Sequence, residues 1–183
     1  SSEYVQTGNV RNRGIELALG YSHTWGNFAW NTNFTYSANR NKIVELLDDP
    51  NEVINQGGLS GANIILKKGG TMGDLYMTSD FKRDAEGNIA IKDGGVSQVN
   101  LPNPSYRGSV LPKGNIGFSN DFSWKGLNFG FVLTARFGGI VMSQTQALMD
   151  AYGVSKASAD ARDKGGVAVN NGLVSAEKYY SVV

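Results

Sequence analysis

GIELALGYSHTWGNFAWNTNFTYSAN, residues 14–39, is the stretch on which the fold turns. Ile15, Leu17, Leu19, Tyr21, His23 and Trp25 alternate with Gly14, Glu16, Ala18, Gly20, Ser22 and Thr24. Successive side chains of a strand point to opposite faces, so strict alternation marks a strand with one apolar and one polar face. After Gly26-Asn27 the alternation resumes, with Phe28, Trp30, Thr32, Phe34 and Tyr36 interleaved with Ala29, Asn31, Asn33, Thr35 and Ser37. Two such runs joined by two turn-forming residues read as a tight antiparallel hairpin. With Gly26-Asn27 as the turn, Trp25 pairs with Phe28, Leu19 with Phe34 and Leu17 with Tyr36. On the other face Ser22 meets Asn31, Gly20 meets Asn33 and Glu16 meets Ser37. A slip of one residue would destroy this sorting.

Residues 115–137 repeat the design. Ile116, Phe118, Phe122 and Trp124 share one face, and Gly117, Ser119, Asp121 and Ser123 the other. Across a Lys125-Gly126 turn the return strand sets Leu127, Phe129, Phe131, Leu133, Ala135 and Phe137 against Asn128, Gly130, Thr134 and Arg136. The expected pairs are Trp124 with Leu127, Phe122 with Phe129, Phe118 with Leu133 and, on the polar side, Asn115 with Arg136. Asn120 and Val132 break the pattern.

Each alternating run matches the 9–11 residues that a tilted strand needs to cross a bilayer. Trp25, Phe28, Trp30 and Trp124 gather beside the tight turns, where a transmembrane barrel carries an aromatic girdle. A soluble antiparallel sandwich also alternates, and alternation alone favours it. Two features favour the barrel. The polar face is small (Gly, Ser, Asn, Thr, Ala), as in a watery lumen, and the connections pair two-residue turns at one end with very long segments at the other.

Composition narrows the chemistry. The 183 residues include 17 Lys+Arg and 16 Asp+Glu, a net charge of +1, with no basic stretch that would mark a nucleic-acid surface. With no cysteine and His23 as the one histidine, thiolate sites are excluded and a histidine-based zinc site is disfavoured. No acid–base pair or nucleophile–base spacing is visible, so no catalytic residue, metal, cofactor or enzymatic activity is expected. Glycine is frequent, 24 residues, clustered at turns and in polar stretches. No apolar run approaches the ~18 residues of a transmembrane helix, and the first residues lack the apolar core of a signal peptide.

The organisation reads as a hairpin over 14–39, a long loop over 40–113, a hairpin over 115–141 and a helical loop region over 143–183. Within the long loop, 42–47 could extend the preceding strand, and DAEGN (84–88) reads as the turn of a small exposed hairpin rather than a calcium loop, whose ligand spacing it lacks. GGLSGAN (57–63) lacks the Lys-Ser/Thr of a phosphate loop. Asn33-Phe34-Thr35 is a glycosylation sequon inside a strand, and His23 reads as an interfacial ring of the aromatic band. Ala147, Leu148, Ala151 and Tyr152 have helical spacing ended by Gly153, and Ser155 reads as the N-cap of KASADARDK, stopped by Gly165-Gly166.

GNVRNRGIELALGY (8–21) and FTYSANRNKIVEL (34–46), followed by GDLY (73–76), NPSYRGS (103–109), RFGGIVMSQTQA (136–147), YGVS (152–155) and ARDKGGV (161–167), resemble in their order the SusC/RagA-type TonB-dependent transporters. The resemblance runs through most of the chain and rests on structural motifs. It implies a roughly 22-stranded barrel with an N-terminal plug, driven through TonB by an inner-membrane complex. It further implies a SusD-like lipoprotein lid and an oligosaccharide or peptide substrate. The chain is expected to be a late portion of such a barrel, without plug or closing strands, located in the outer membrane.

The expected fold class is therefore all-β: antiparallel hairpins from a transmembrane β-barrel, with long extracellular loops containing one or two short helices. Ile15, Leu17, Leu19, Phe118, Phe129 and Leu133 are expected to face lipid. Glu16, Asn31, Asn33, Asp121 and Arg136 are expected to line the lumen, and the loop aromatics Tyr76, Tyr106 and Tyr152 are the candidate ligand contacts. If the piece is soluble, its own loops or self-association should cover the apolar face. The rival readings are a soluble β-rich carbohydrate-binding or adhesin module, and a passive porin.

Overall fold

The computed structural model describes residues 8–46, 53–59 and 61–182. Leu47, Ser60 and Val183, which fall in the expected strand extension, glycine-rich loop and helical loop region, lie outside the described residues. The chain forms β1 (Gly8–Trp25), β2 (Phe28–Leu46), β3 (Ile54–Leu59), β4 (Ala62–Leu66), β5 (Asp74–Phe81), β6 (Gln98–Ser109), β7 (Gly114–Trp124) and β8 (Leu127–Phe137). Then follow α1 (Gln144–Ala151), α2 (Lys156–Asp163), β9 (Val167–Val169), β10 (Gly172–Val174) and α3 (Ala176–Tyr180). The architecture is all-β, mostly antiparallel sheet with a few short helices, and among the described residues no sheet closes into a barrel.

The hairpins become one antiparallel sheet in the order β1-β2-β7-β8. Every pair expected from alternation is found, among them Leu19 with Phe34, Glu16 with Ser37, Phe118 with Leu133 and Asn115 with Arg136. The two hairpins join along β2 and β7, where Trp30 lies opposite Phe122 and Phe34 opposite Phe118. Both turns follow the twist of their strands. Gly26 takes φ +58°, and in the second turn Lys125 and Gly126 take φ +47° and +89°, the primed geometry that a two-residue hairpin prefers. The first hairpin outruns the second: β1 and β2 have 18 and 19 residues, β7 and β8 11 each. Its free end is a two-stranded arm, with a bulge at Asn9/Val10.

The chain divides into two compact units. The first comprises residues 1–56, 64–74 and 108–140, the second residues 57–63, 75–107 and 141–183. In the first unit a small core anchors the arm: Ile43 is wholly buried against Leu46 and Leu66, with Ile54 and Ile64 packed on them. The Ile43 N–H donates to the Gly70 carbonyl and its carbonyl accepts from Gly69, both at 2.8 Å. Beside this, the buried Asp74 accepts from the Thr71 hydroxyl (2.6 Å) and backbone N–H (3.0 Å), while the Met72 N–H donates to Asn41 Oδ1 (2.8 Å). The second unit is built on Val96, Val169 and Val174, with Phe81, Ile89, Val167, Tyr179 and Val182 around them.

The stretch 40–113 is more ordered than a long connection. It carries a second sheet of order β3-β4-β5-β6. DAEGN forms the expected turn: Asp84 Oδ1 accepts from the N–H groups of Glu86 (3.1 Å) and Asn88 (2.8 Å), and Arg83 bridges Ile89. Both expected helices are present. Ser143 and Ser155 cap them by accepting from the Gln146 and Ser158 N–H groups at 3.2 and 3.0 Å. The β9–β10 pair and α3 lie beyond what the residue pattern predicts, because three-residue strands and a five-residue helix are too short to establish a period.

Candidate functional site: a two-faced sheet and an aromatic pair

Continuous pairing across β1, β2, β7 and β8 sorts side chains into rows that cross the sheet. One face carries Trp25–Phe28–Trp124–Leu127, then His23–Trp30–Phe122–Phe129, Tyr21–Thr32–Asn120–Phe131 and Leu19–Phe34–Phe118–Leu133. The other carries Thr24–Ala29–Ser123–Asn128, Ser22–Asn31–Asp121–Gly130, Gly20–Asn33–Ser119–Val132 and Glu16–Ser37–Asn115–Arg136. The rows follow from two unlike faces paired without a slip.

The apolar face is uncovered. Ile15 is 69 % exposed, Phe129 64 % and Leu127 70 %, and Leu17, Leu19, Phe118 and Leu133 are exposed as well. Near the turns the rings touch: His23 lies 4.4 Å from Trp25, and the Trp30 and Phe122 rings are stacked at 6.2 Å. His23 is accordingly a member of the aromatic band. Asn120, one of the two pattern breakers, is buried within this apolar face at 3 % exposure. Its Oδ1 accepts the Trp30 indole N–H at 3.0 Å, while its Nδ2 has no partner among the described residues.

Glu16, Asn31, Asn33, Asp121 and Arg136 all fall on the opposite face, two of them opposed directly as the pair Asn31–Asp121. Glycines there give the polar side chains room to lie flat: a Cβ on Gly20 would meet Asn33 Oδ1 at 2.8 Å and one on Gly130 would meet Asp121 Oδ1 at 2.6 Å. A shallow hollow of about 320 Å³ opens beside Ser22, Asn31, Asp121 and Asn128. Val132, the other pattern breaker, is an exposed apolar residue on this face.

Of the three loop aromatics, two come together. Tyr76 on β5 and Tyr106 on β6 lie with ring centroids 5.4 Å apart at 55°, Tyr106 more than half exposed. Their 30-residue separation hides this pairing from a linear reading. Tyr152 instead ends α1 and is 80 % exposed. The second unit also holds a cavity of about 340 Å³ lined by Lys92, Asp93, Val96 and Lys178, with Lys178 Nζ held 2.6 Å from the Asp93 carbonyl. Among the described residues no three His, Asp or Glu side chains converge to hold a metal ion, and no helix is long and apolar enough to cross a membrane.

No family model matches the chain. In an alignment 166 positions long that covers 79 % of the chain, it is 24 % identical to the TonB-dependent receptor P3 of Formosa agariphila. The match spans 17 % of that relative's length.

Proposed function

We propose that these residues are barrel wall and outer loops of a TonB-dependent outer-membrane importer of the SusC/RagA type, taking up an oligosaccharide or similar oligomer. The observation that carries this is the sheet β1-β2-β7-β8, whose apolar face leaves Ile15, Leu17, Leu19, Trp25, Phe118, Trp124, Leu127, Phe129 and Leu133 exposed while its other face is mainly polar. In water such a face is a liability; in a barrel wall it meets lipid. From Ile15 to Trp25 the strand runs roughly 33 Å at the usual rise per residue. At the ~40° tilt of spanning strands this makes an apolar band about 25 Å tall, the height of the hydrophobic belt of outer-membrane barrels. The ring-rich end at the tight turns then lies at the periplasmic interface. The similarity to a TonB-dependent receptor over most of the chain supports the same reading.

On this reading Glu16, Asn31, Asn33, Asp121 and Arg136 face the lumen, and the Tyr76–Tyr106 pair is the foremost sugar contact, since paired rings offer apolar faces to a pyranose. Energy enters through a plug and TonB, and a SusD-like lipoprotein closes the outer mouth. No catalytic chemistry is assigned. Cell fractionation with an antibody to residues 57–113, combined with protease shaving of intact cells, tests the proposal. A band several times larger than this chain, in the outer membrane and clipped from outside, supports it. A small soluble or secreted band refutes it in favour of a self-contained β-rich module.

A further inference from the structure

Beyond the apolar band, on the same face of the same hairpin, the rows change character. Following Leu17–Tyr36 and Ile15–Ala38 come Arg13 opposite Arg40 and Arg11 opposite Lys42. Four cations, drawn from stretches 27 residues or more apart, thus form two directly opposed like-charged pairs. All four are exposed, and among the described residues none has a carboxylate partner. Glu45, opposite Asn9, is the one acidic residue of the arm and makes no ion pair with them. Like charges directly across a strand pair destabilise it, so the arrangement calls for an anion that the described residues do not supply.

The arm holds this row in place. On its reverse face Asn12 Oδ1 accepts from the side-chain amides of Asn39 (3.1 Å) and Asn41 (2.9 Å), Asn41 receives the Met72 N–H, and Ile43 is locked in the small core. The cations stand on the face that continues the lipid-facing band, at the end away from the tight turns. We infer that Arg11, Arg13, Arg40 and Lys42 bind the phosphorylated headgroup of an outer-leaflet glycolipid, a site that rests on the barrel reading above. Arginine forks match phosphate oxygens bidentately, and a bisphosphorylated headgroup supplies the negative charge that two opposed cation pairs lack. The sequence of the rows is that of a membrane cross-section: interfacial rings, hydrocarbon, charged headgroups. A free phosphate ion would satisfy the charge but not the continuity with the apolar band.

The test uses the intact protein in phosphatidylcholine nanodiscs doped with bisphosphorylated lipid A, and in parallel with the same lipid dephosphorylated. Lipid retained per protein after washing is the readout. The native protein should retain the phosphorylated lipid selectively. The pair variants R11Q/K42Q and R13Q/R40Q should lose about fivefold for each cation removed, the strength of one basic residue at an anionic surface, whereas R13K/R40K, which keeps the charge but not the bidentate forks, should lose less than R13Q/R40Q. Equal retention by the glutamine variants, or of the dephosphorylated lipid, overturns the site; so does displacement by inorganic phosphate at matched concentration, which would show a general anion patch. A fluorophore on Leu19→Cys, quenched by brominated acyl chains, reports separately on the barrel reading. Quenching without phosphate selectivity defeats the headgroup site alone, and absence of quenching defeats both.

Discussion

Across the β2–β7 boundary the indole N–H of Trp30 donates to Asn120 Oδ1 at 3.0 Å, and this bond is what makes an asparagine tolerable inside an apolar face. A buried polar group left without its partner loses about 1–3 kcal/mol, whereas replacing both partners by apolar groups of similar shape is nearly neutral. N120L should therefore destabilise the intact protein by about that amount, because it strands the Trp30 N–H beneath the neighbouring rings. W30F/N120L should recover most of the loss, the more so because Asn120 Nδ2 is already unpartnered among the described residues. A double-mutant cycle read by denaturant unfolding checks this. Additive effects would mean that the bond contributes nothing.

The row Leu19–Phe34–Phe118–Leu133 lies near the middle of the apolar band. If that band meets hydrocarbon, L19R and L133R, both in this row, should each cost about 2–4 kcal/mol for insertion at the midplane. T134K, on the polar face of the same sheet, should stay within about 0.5 kcal/mol, as exposed surface changes do. Refolding into vesicles followed by a urea titration gives both values. Equal, small effects at the three positions would be incompatible with lipid on one side.

What could be read from residues alone follows the range of the interactions. Each hairpin has its partner strand next in the chain, so alternation and a two-residue turn set every pair from Trp25–Phe28 to Glu16–Ser37. The joining of β2 to β7 brings together residues 78 to 96 positions apart, and nothing in either strand names the other. The sheet β3-β4-β5-β6 was hidden for a different reason. QVNLPNPSYRGS (98–109) carries two prolines, which argue against a strand, but β6 is the edge of its sheet, where proline need not break the pairing. The five polar-face residues were legible because parity alone assigns a face. The pairing of Tyr76 with Tyr106 was not, nor was the cation row, which a scan for contiguous basic residues passes over because Arg13 and Arg40 are neighbours only through the register of the hairpin.

Ser155 sits at the start of α2 with its hydroxyl accepting the Ser158 N–H, and the buried Ser158 hydroxyl returns a bond to the Ser155 carbonyl at 3.0 Å. An eight-residue helix has little else to hold its first turn. S155A should cost about 1 kcal/mol, the usual loss on removing a serine cap. The effect should appear as faster amide exchange over 156–163, leaving β1-β2-β7-β8 unchanged. Unchanged exchange in α2 would show that contacts elsewhere, not the cap, hold the helix.

The Tyr76–Tyr106 pair makes the sharpest functional test, because ring and hydroxyl can be separated. Y106A removes the more exposed ring and breaks the 5.4 Å contact, so it should weaken oligosaccharide binding by about fivefold or more, the order of one aromatic contact. Y106F keeps the ring face and should bind nearly as well if stacking dominates; a loss equal to that of Y106A would assign the role to the hydroxyl instead. Y152A is the internal comparison, since Tyr152 is equally aromatic and more exposed but stands at the end of α1. Calorimetric titration of the intact protein with a panel of neutral oligosaccharides decides among these. Selective loss in Y106A places the sugar against β5 and β6, equal losses in Y106A and Y152A spread the contact over the loops, and no loss in either removes these tyrosines from substrate recognition.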